Sequence, residues 1–266
     1  MGKSKKYLAI GDVHGDLGFL TRAYYYAKLH KFTPVFLGDF VDSFVRSKRE
    51  QEAVLMMMLD ILTWDKDAYA LWGNHDLSYI FPRLHSCSGF SMSKMQAFLP
   101  YYNKLLLQKN FRPFLYLDGP KKDVLLSHAG LEPRHLPGLG TDESKVKSWL
   151  TSRFADRSLA IRTPNPLLDV GFASGGKQSY GGITWLRAEE TNFGFESILQ
   201  VVGHTPVDEA YFDAENNFYY IDTLASKKPT LALVDLEENA PNTVVFIKSN
   251  EWMFPLTDRK IENETL

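Results

Sequence analysis

Five short segments of this chain place aspartate, asparagine or histidine within two residues of glycine: Gly11-Asp12-Val13-His14-Gly15, Gly38-Asp39-Phe40-Val41-Asp42, Gly73-Asn74-His75-Asp76, Ser127-His128-Ala129-Gly130 and Gly203-His204-Thr205-Pro206. A hydrolytic centre holding two divalent cations needs oxygen and imidazole ligands, one carboxylate shared by both ions, and open positions for water and substrate. The chain has these parts. Asp12 and His14, two residues apart at a strand end, can face one ion, and Asp39 from the next strand can bridge to a second ion held by Asn74, His128 and His204. Together the segments read as a two-metal phosphoesterase site. Gly11, Gly15, Gly38, Gly73 and Gly203 suit backbone that turns sharply or passes closely beneath a ligand.

Taken singly, each segment has a plainer reading. An aspartate after a strand is often a helix N-cap, which would suffice for Asp42, and Gly-Asn is a common turn pair. What separates the two readings is context. Each segment follows an apolar run: Tyr7-Leu8-Ala9-Ile10, Pro34-Val35-Phe36-Leu37, Ala68-Tyr69-Ala70-Leu71-Trp72, Val124-Leu125-Leu126 and Ile198-Leu199-Gln200-Val201-Val202. Such runs predict buried strands, and the ends of strands are where an α/β sheet places its ligands.

The elements between these strands follow from periodicity. Asp16 can cap a helix with Leu17, Leu20, Tyr24 and Ala27 on one face. After the polar stretch Ser43 to Glu50, Ala53 to Leu62 predicts a strongly apolar helix whose methionines fill core. Three β-α units in succession argue for an α/β sheet with helices on its faces. Between Asp76 and Asp118 the pattern turns helical and aromatic, and we expect a helical cap inserted at about residues 77–113. Phe114–Leu117 and Val124–Leu126, joined by Asp118 to Lys122, predict a hairpin leading into His128. Lys145 to Leu150 reads as helix, and the glycine- and proline-rich Arg162 to Gly182 as mostly loop. Phe218–Ile221, Leu231–Val234 and Thr243–Ile247 read as a β-meander, giving one domain over 1–266 built on two facing sheets.

Composition bounds the rest. A chain of 266 residues, 44% hydrophobic, can bury a sizeable core, and its net charge of -2 leaves no footprint for wrapping duplex nucleic acid. The lone Cys87 excludes an internal disulfide, no apolar stretch approaches membrane-spanning length, and the N-terminus carries no apolar leader, so a cytoplasmic protein is expected. His30 closes a predicted helix, His135 sits in a proline-rich loop that looks exposed, and His85 and Cys87 lie in the cap, where they can border a substrate.

The ordered set GDVHG, GDFVD, GNHD, SHAGL and GHTP resembles the calcineurin-like metallophosphoesterases, specifically the phosphoprotein phosphatase branch with its prokaryotic and phage members. The resemblance covers nearly the whole chain. It implies a four-layer α/β/β/α sandwich of two facing mixed sheets and a binuclear centre, with Mn2+ first and Fe, Zn, Co or Ni as alternatives. By resemblance, Asp12, His14, Asp39, Asn74, His128 and His204 are the metal ligands, His75 is the general acid and Asp42 orients it. Arg187, in Trp185-Leu186-Arg187, resembles a phosphate-binding arginine, and Asn74 also faces the phosphate. Attack by a metal-bridging hydroxide on a phosphate monoester of a protein or small molecule is the implied reaction, in a host cytoplasm if the chain is phage-encoded.

One departure bears on substrate. The branch continues its second motif as Asp-Arg-Gly, whereas Asp42 here precedes Ser43-Phe44, so a phosphate-clamping arginine is missing. Arg46 or Arg49 can replace it. The gap leaves open a second class, hydrolysis of nucleotide phosphodiesters or dinucleoside polyphosphates on the same metals, and a third, a binding module that has kept the fold alone.

Overall fold

A computed structural model describes residues 5–82, 87–136, 138, 142–162, 165–224, 228–240 and 243–253. Alternation within the strands decides the architecture. In β1 (Lys6–Ile10), Leu8 and Ile10 pack into one apolar cluster while Ala9 packs into another, and β2 (Thr33–Phe36) divides Phe36 from Val35 in the same way. Side chains of successive strand residues point to opposite faces, so a strand apolar on both must be covered on both. Helices cover the outer face and a second sheet the inner one.

The chain runs on through α1 (Leu17–Leu29), α2 (Lys48–Trp64), β3 (Tyr69–Leu71), α3 (Asn74–Ile80), α4 (Met92–Leu105), β4 (Phe111–Arg112), β5 (Phe114–Leu117) and β6 (Asp123–Ser127). Then follow α5 (Val146–Arg153), α6 (Arg157–Arg162), β7 (Ile198–Val202), β8 (Tyr211–Asp213), β9 (Phe218–Tyr220), β10 (Leu231–Asp235), β11 (Val244–Ile247) and α7 (Ser249–Trp252). One sheet has the order β11-β10-β1-β2-β3-β4, the other β5-β6-β7-β9-β8. Both are mixed. β1 to β4 run parallel while β10 and β11 run antiparallel to their neighbours; β6, β7 and β9 run parallel between antiparallel edges β5 and β8. Ala9, Val35 and Leu71 of the first sheet meet Leu115, Leu126 and Val201 of the second in one core, which makes the sheets face each other.

Local chemistry sets the helix starts. Asp16 accepts from the Phe19 amide at 2.8 Å and caps α1. Ser47 and Glu50 exchange a reciprocal capping pair, so α2 begins at Lys48, ahead of the apolar run. Of the consecutive methionines, Met58 is fully buried but Met56 is exposed, so core filling holds for only part of the run.

Two expectations need correcting. The last strands form no single meander: β9 pairs in parallel with β7, whereas β10 and β11 form a hairpin beside β1 in the other sheet. Alternation identifies a strand but not its partner. The glycine-rich segment after Arg162 is mostly loop, as expected, with short 3-10 turns at Pro166–Leu168 and Phe172–Ser174. His135 is buried: its Nε2 meets the Gly181 carbonyl at 2.7 Å and its ring packs edge-on against Tyr180. No helix among the described residues is long and apolar enough to cross a membrane.

Candidate active site

The ends of β1, β2, β3, β6 and β7 converge, so both sheets contribute. Asp12 and His14 follow β1, Asp39 and Asp42 follow β2, Asn74 and His75 open α3 after β3, and His128 and His204 follow β6 and β7. His128 Nε2 lies 2.8 Å from Asn74 Oδ1 and 3.3 Å from Asp39 Oδ2, and His204 Nδ1 is 3.2 Å from the same Asn74 oxygen. His14 Nε2 stands 3.8 Å from both Asp12 Oδ2 and Asp39 Oδ2. Two donor groups result, Asp39-His128-His204 and Asp12-His14-Asp39, each with its ligand atoms within 4.8 Å and with Asp39 common to both.

The surroundings fix which atoms face the centre. His14 Nδ1 donates to the Val41 carbonyl and His128 Nδ1 to the Leu37 carbonyl, each at 2.9 Å, which turns both Nε2 atoms towards the centre. Asn74 Nδ2 donates to Cys87 Sγ at 3.3 Å, turning the amide oxygen towards His128 and His204. His204 Nε2 is buried without a hydrogen-bond partner. Carboxylate, amide and imidazole donors that crowd together this way fit divalent cations of the Mn, Fe, Co, Ni and Zn type.

The backbone is held in uncommon shapes at these residues. His14, Asp39, Asp42 and His204 have φ of 41°, 52°, 67° and 63°, in the left-handed region that side chains avoid. Such strain costs roughly 1–3 kcal/mol per residue and persists where surrounding contacts over-determine it. Here the Asp39 carbonyl accepts from both Val13 and His14 amides, at 3.1 and 2.8 Å. Gly73 and Gly203 serve close approach: a Cβ would collide with the Asp39 carboxylate at Gly73 and with the Asp12 carboxylate at Gly203.

Asp76, the last residue of its motif, is a support the sequence reading gave no role. Fully buried, it accepts from the amides of Asp39 at 2.9 Å, Phe40 at 3.1 Å and Gly73 at 3.0 Å, and from Tyr102 Oη at 2.6 Å. Burial and the Asp39 charge push its pKa up to about 6. One carboxylate thus ties the ends of β2 and β3 together. Asp76→Ala should lower stability by several kcal/mol, since each orphaned buried donor costs about 1–3 kcal/mol. Calorimetric unfolding checks this; a change below about 1 kcal/mol would show that water replaces the carboxylate.

Charge is balanced inside the cluster. Burial works to raise the Asp39 pKa, but His128, His75 and His14 outweigh it and hold the carboxylate below its ordinary range. Burial likewise opposes charge on His128, yet Asp39 and Asp12 push its pKa up to about 10. His204 is driven well below the usual imidazole value by burial and by His128, with Arg187 adding to the effect.

Beside the cluster, His75 Nδ1 donates to Asp42 Oδ2 at 3.0 Å, and the His75 amide donates to Asp39 Oδ1 at 2.9 Å. Asp42 is buried and also accepts from Tyr79 Oη at 2.5 Å and Lys94 Nζ at 3.1 Å. Tyr79 and Lys94 were missed because the contact joins residues far apart in sequence, from which no periodicity signals a meeting. Buried Asp222 lines the same cleft as His14; it follows an apolar strand run as the other site aspartates do, but lacks a histidine or glycine companion in the sequence. The N-cap of α2 is Ser47, so Asp42 is not simply a cap.

Arg187 is placed by its loop. Glu190 accepts from the Arg187 amide at 3.2 Å, and Arg187 Nε donates to Ser174 Oγ at 3.0 Å, near enough to His204 to influence it. Ser43 Oγ accepts from the Val45 and Arg46 amides at 3.2 and 3.1 Å. Arg46 lines the cleft but pairs with Asp16 at 2.6 Å, and Arg49 is exposed. His30 is the C-cap of α1, and His85 lies outside the described residues.

The sequence matches the calcineurin-like phosphoesterase family model over residues 5–234. No curated protein matches it. Among solved structures, the fold is similar to a cold-active protein-tyrosine phosphatase of a psychrophilic Shewanella species, at TM-score 0.51 and 19% identity over 88% of this chain and 78% of that one. It is also similar to a serine/threonine phosphatase from Saccharomyces cerevisiae, at TM-score 0.50 and 16% identity over 91% of this chain and 79% of that one. At such identities the likeness is one of fold.

Proposed function

Because the chain belongs to the calcineurin-like phosphoesterase family, whose members are metal-dependent hydrolases with a binuclear divalent centre, we propose that it hydrolyses phosphate monoesters in the manner of a phosphoprotein phosphatase. Its substrates on this reading are phosphoserine, phosphothreonine or small phosphate esters. The observation that carries it is the His75-Asp42 pair at 3.0 Å. An alkoxide such as serine's leaves only with a proton, and a carboxylate-oriented imidazole beside the metal ligands supplies one.

Asp12, His14 and Asp39 would hold one ion, and Asp39, Asn74, His128 and His204 the other, with Mn2+ the metal we propose. When bound, two such ions bring the pKa of water towards neutrality and offset charge on phosphoryl oxygens. The chain's own groups do the rest. The Arg187 guanidinium can grip two phosphoryl oxygens at once. Asp42 occupies His75 Nδ1, so Nε2 is the atom left to hand its proton to the leaving oxygen. Burial opposes charge on that ring, but Asp39 and Asp42 together raise its pKa above the ordinary value and favour the protonated donor.

A second reading, cleavage of nucleotide phosphodiesters or phosphoanhydrides, is favoured by the absence of a guanidinium at Ser43. Turnover with Mn2+ of a phosphopeptide, p-nitrophenyl phosphate, its bis-ester, cyclic nucleotides and a dinucleoside tetraphosphate separates the two. Monoesters should be fastest; a faster diester or anhydride overturns the monoesterase reading. A dianionic monoester gains from two guanidinium clamps, whereas a monoanionic diester has fewer charged oxygens to offer. Ser43→Arg should therefore raise kcat/KM for p-nitrophenyl phosphate by about tenfold, in line with one charge-assisted hydrogen bond, and leave the bis-ester little changed. An unaltered monoester-to-diester ratio in folded, metal-loaded Ser43→Arg would mean that another cation already fills the role.

A further inference from the structure

His14, Asp42 and His75 line a cleft of about 720 Å³, far more room than a phosphoryl group takes. A phosphate ester with a sizeable leaving group fits that space. One wall is the segment Ser43-Phe44-Val45, where the second motif departs from Asp-Arg-Gly; its Phe44 and Val45 are 78% and 89% exposed. Leu224 and Pro229 add further apolar surface. Apolar walls with a few fixed polar groups are the ordinary make-up of a small-molecule site.

The charges lining the cleft are mostly committed. Arg46 pairs with Asp16 at 2.6 Å, and Asp42 is taken by His75, Tyr79 and Lys94, while Asp222 is buried. Arg22 is different. Its Nε is buried without a hydrogen-bond partner, and its guanidinium enters no ion pair among the described residues. It stands six residues beyond the Asp16 cap, about 9 Å along the axis of α1 at 1.5 Å per residue. The side chain runs back towards Gly18, where a Cβ would sit 3.9 Å from Nη1, so no side chain at that position covers it. Arg22 lines the same cleft as His14, Asp42 and His75.

We infer that this cleft is a leaving-group subsite for a flat aromatic ring bearing an anionic substituent, the ring resting on Phe44 and Val45 and the anion on Arg22. The inference rests on the phosphoesterase reading above and narrows it to aryl phosphates with a second negative group. Two isosteric substrates test it: 4-carboxyphenyl phosphate and the neutral 4-carbamoylphenyl phosphate, with phenyl phosphate as reference, on the Mn2+-loaded protein. The wild type should favour the carboxylate over the carboxamide by about tenfold or more in kcat/KM, as one charge-assisted contact allows. Arg22→Met should abolish that preference, Arg22→Lys should restore part of it, and Phe44→Ser should raise KM for the three aryl esters more than for methyl phosphate. A preference that is absent, or that survives in Arg22→Met, overturns the subsite while leaving the proposed function standing. Should no phosphate ester turn over, the proposed function fails, and calorimetric binding of 4-carboxyphenylphosphonate to wild type and Arg22→Met then decides: Arg22-dependent binding supports the subsite, and equal or no binding overturns it.

Discussion

Asp39→Asn should lose tight binding of both metal ions and show no measurable turnover. Asp39 is the one carboxylate common to both donor groups, so the change removes a negative ligand from each ion at once. Disturbing a residue that merely supports a ligand typically costs 10–100-fold in metal affinity or activity, and replacing a shared ligand should exceed this range. The side chain's other contacts sharpen the expectation. Asp39 Oδ1 receives the His75 amide and Oδ2 lies 3.3 Å from His128 Nε2, so an amide NH2 on either side would face a donor. Metal content of the purified variant, read beside its activity, checks this. Two tightly held ions with normal turnover would remove Asp39 from the bridging position. Asn74→Asp, by contrast, keeps an oxygen in place and should alter affinity more than it removes an ion.

His75→Ala should slow hydrolysis of an alkyl phosphate by ~10²–10⁴ and that of p-nitrophenyl phosphate much less, because a phenoxide of low basicity leaves without a proton. Asp42→Asn should follow the same pattern more mildly. Asparagine is the better probe than alanine, since Lys94 and Tyr79 also bear on this carboxylate and an emptied site would strand both. The two substrates must be compared in the same preparation. Equal losses on both would show that His75 is not the proton donor.

The parts of the site that sequence made legible are those carried on strand ends. An apolar run followed by Asp-x-His, Gly-Asp or Gly-Asn-His states both that a strand stops and that polar donors begin, and hydrogen bonding in the sheet then brings those stops together. Asp12, His14, Asp39, Asn74, His128 and His204 were accessible in this way. Asp76 was legible as a letter of its motif but not as a support, because its partners are backbone amides that any sequence would offer. Lys94 was invisible: a lysine on an amphipathic helix reads as solvated surface, and only packing of α4 turns it onto Asp42. The swap of β9 and β10 between sheets was hidden for a related reason, since both strands alternate alike and pairing is settled by what each face must cover.

The position of β1 has a consequence for how the chain is made. Its neighbours are β2, which begins at Thr33, and β10, where Lys6 pairs with Asp235. One edge of β1 closes almost at once and the other only after about 200 further residues have been synthesised. At roughly 5–20 residues per second, the interval on a ribosome is on the order of tens of seconds. For that time the nascent chain carries an unpaired apolar edge, the kind of surface that strays into pairing with other chains. Slowing translation ahead of residue 231, or withholding chaperones in a cell-free system, should therefore lower the soluble yield of this protein while leaving the stability of the finished fold unchanged.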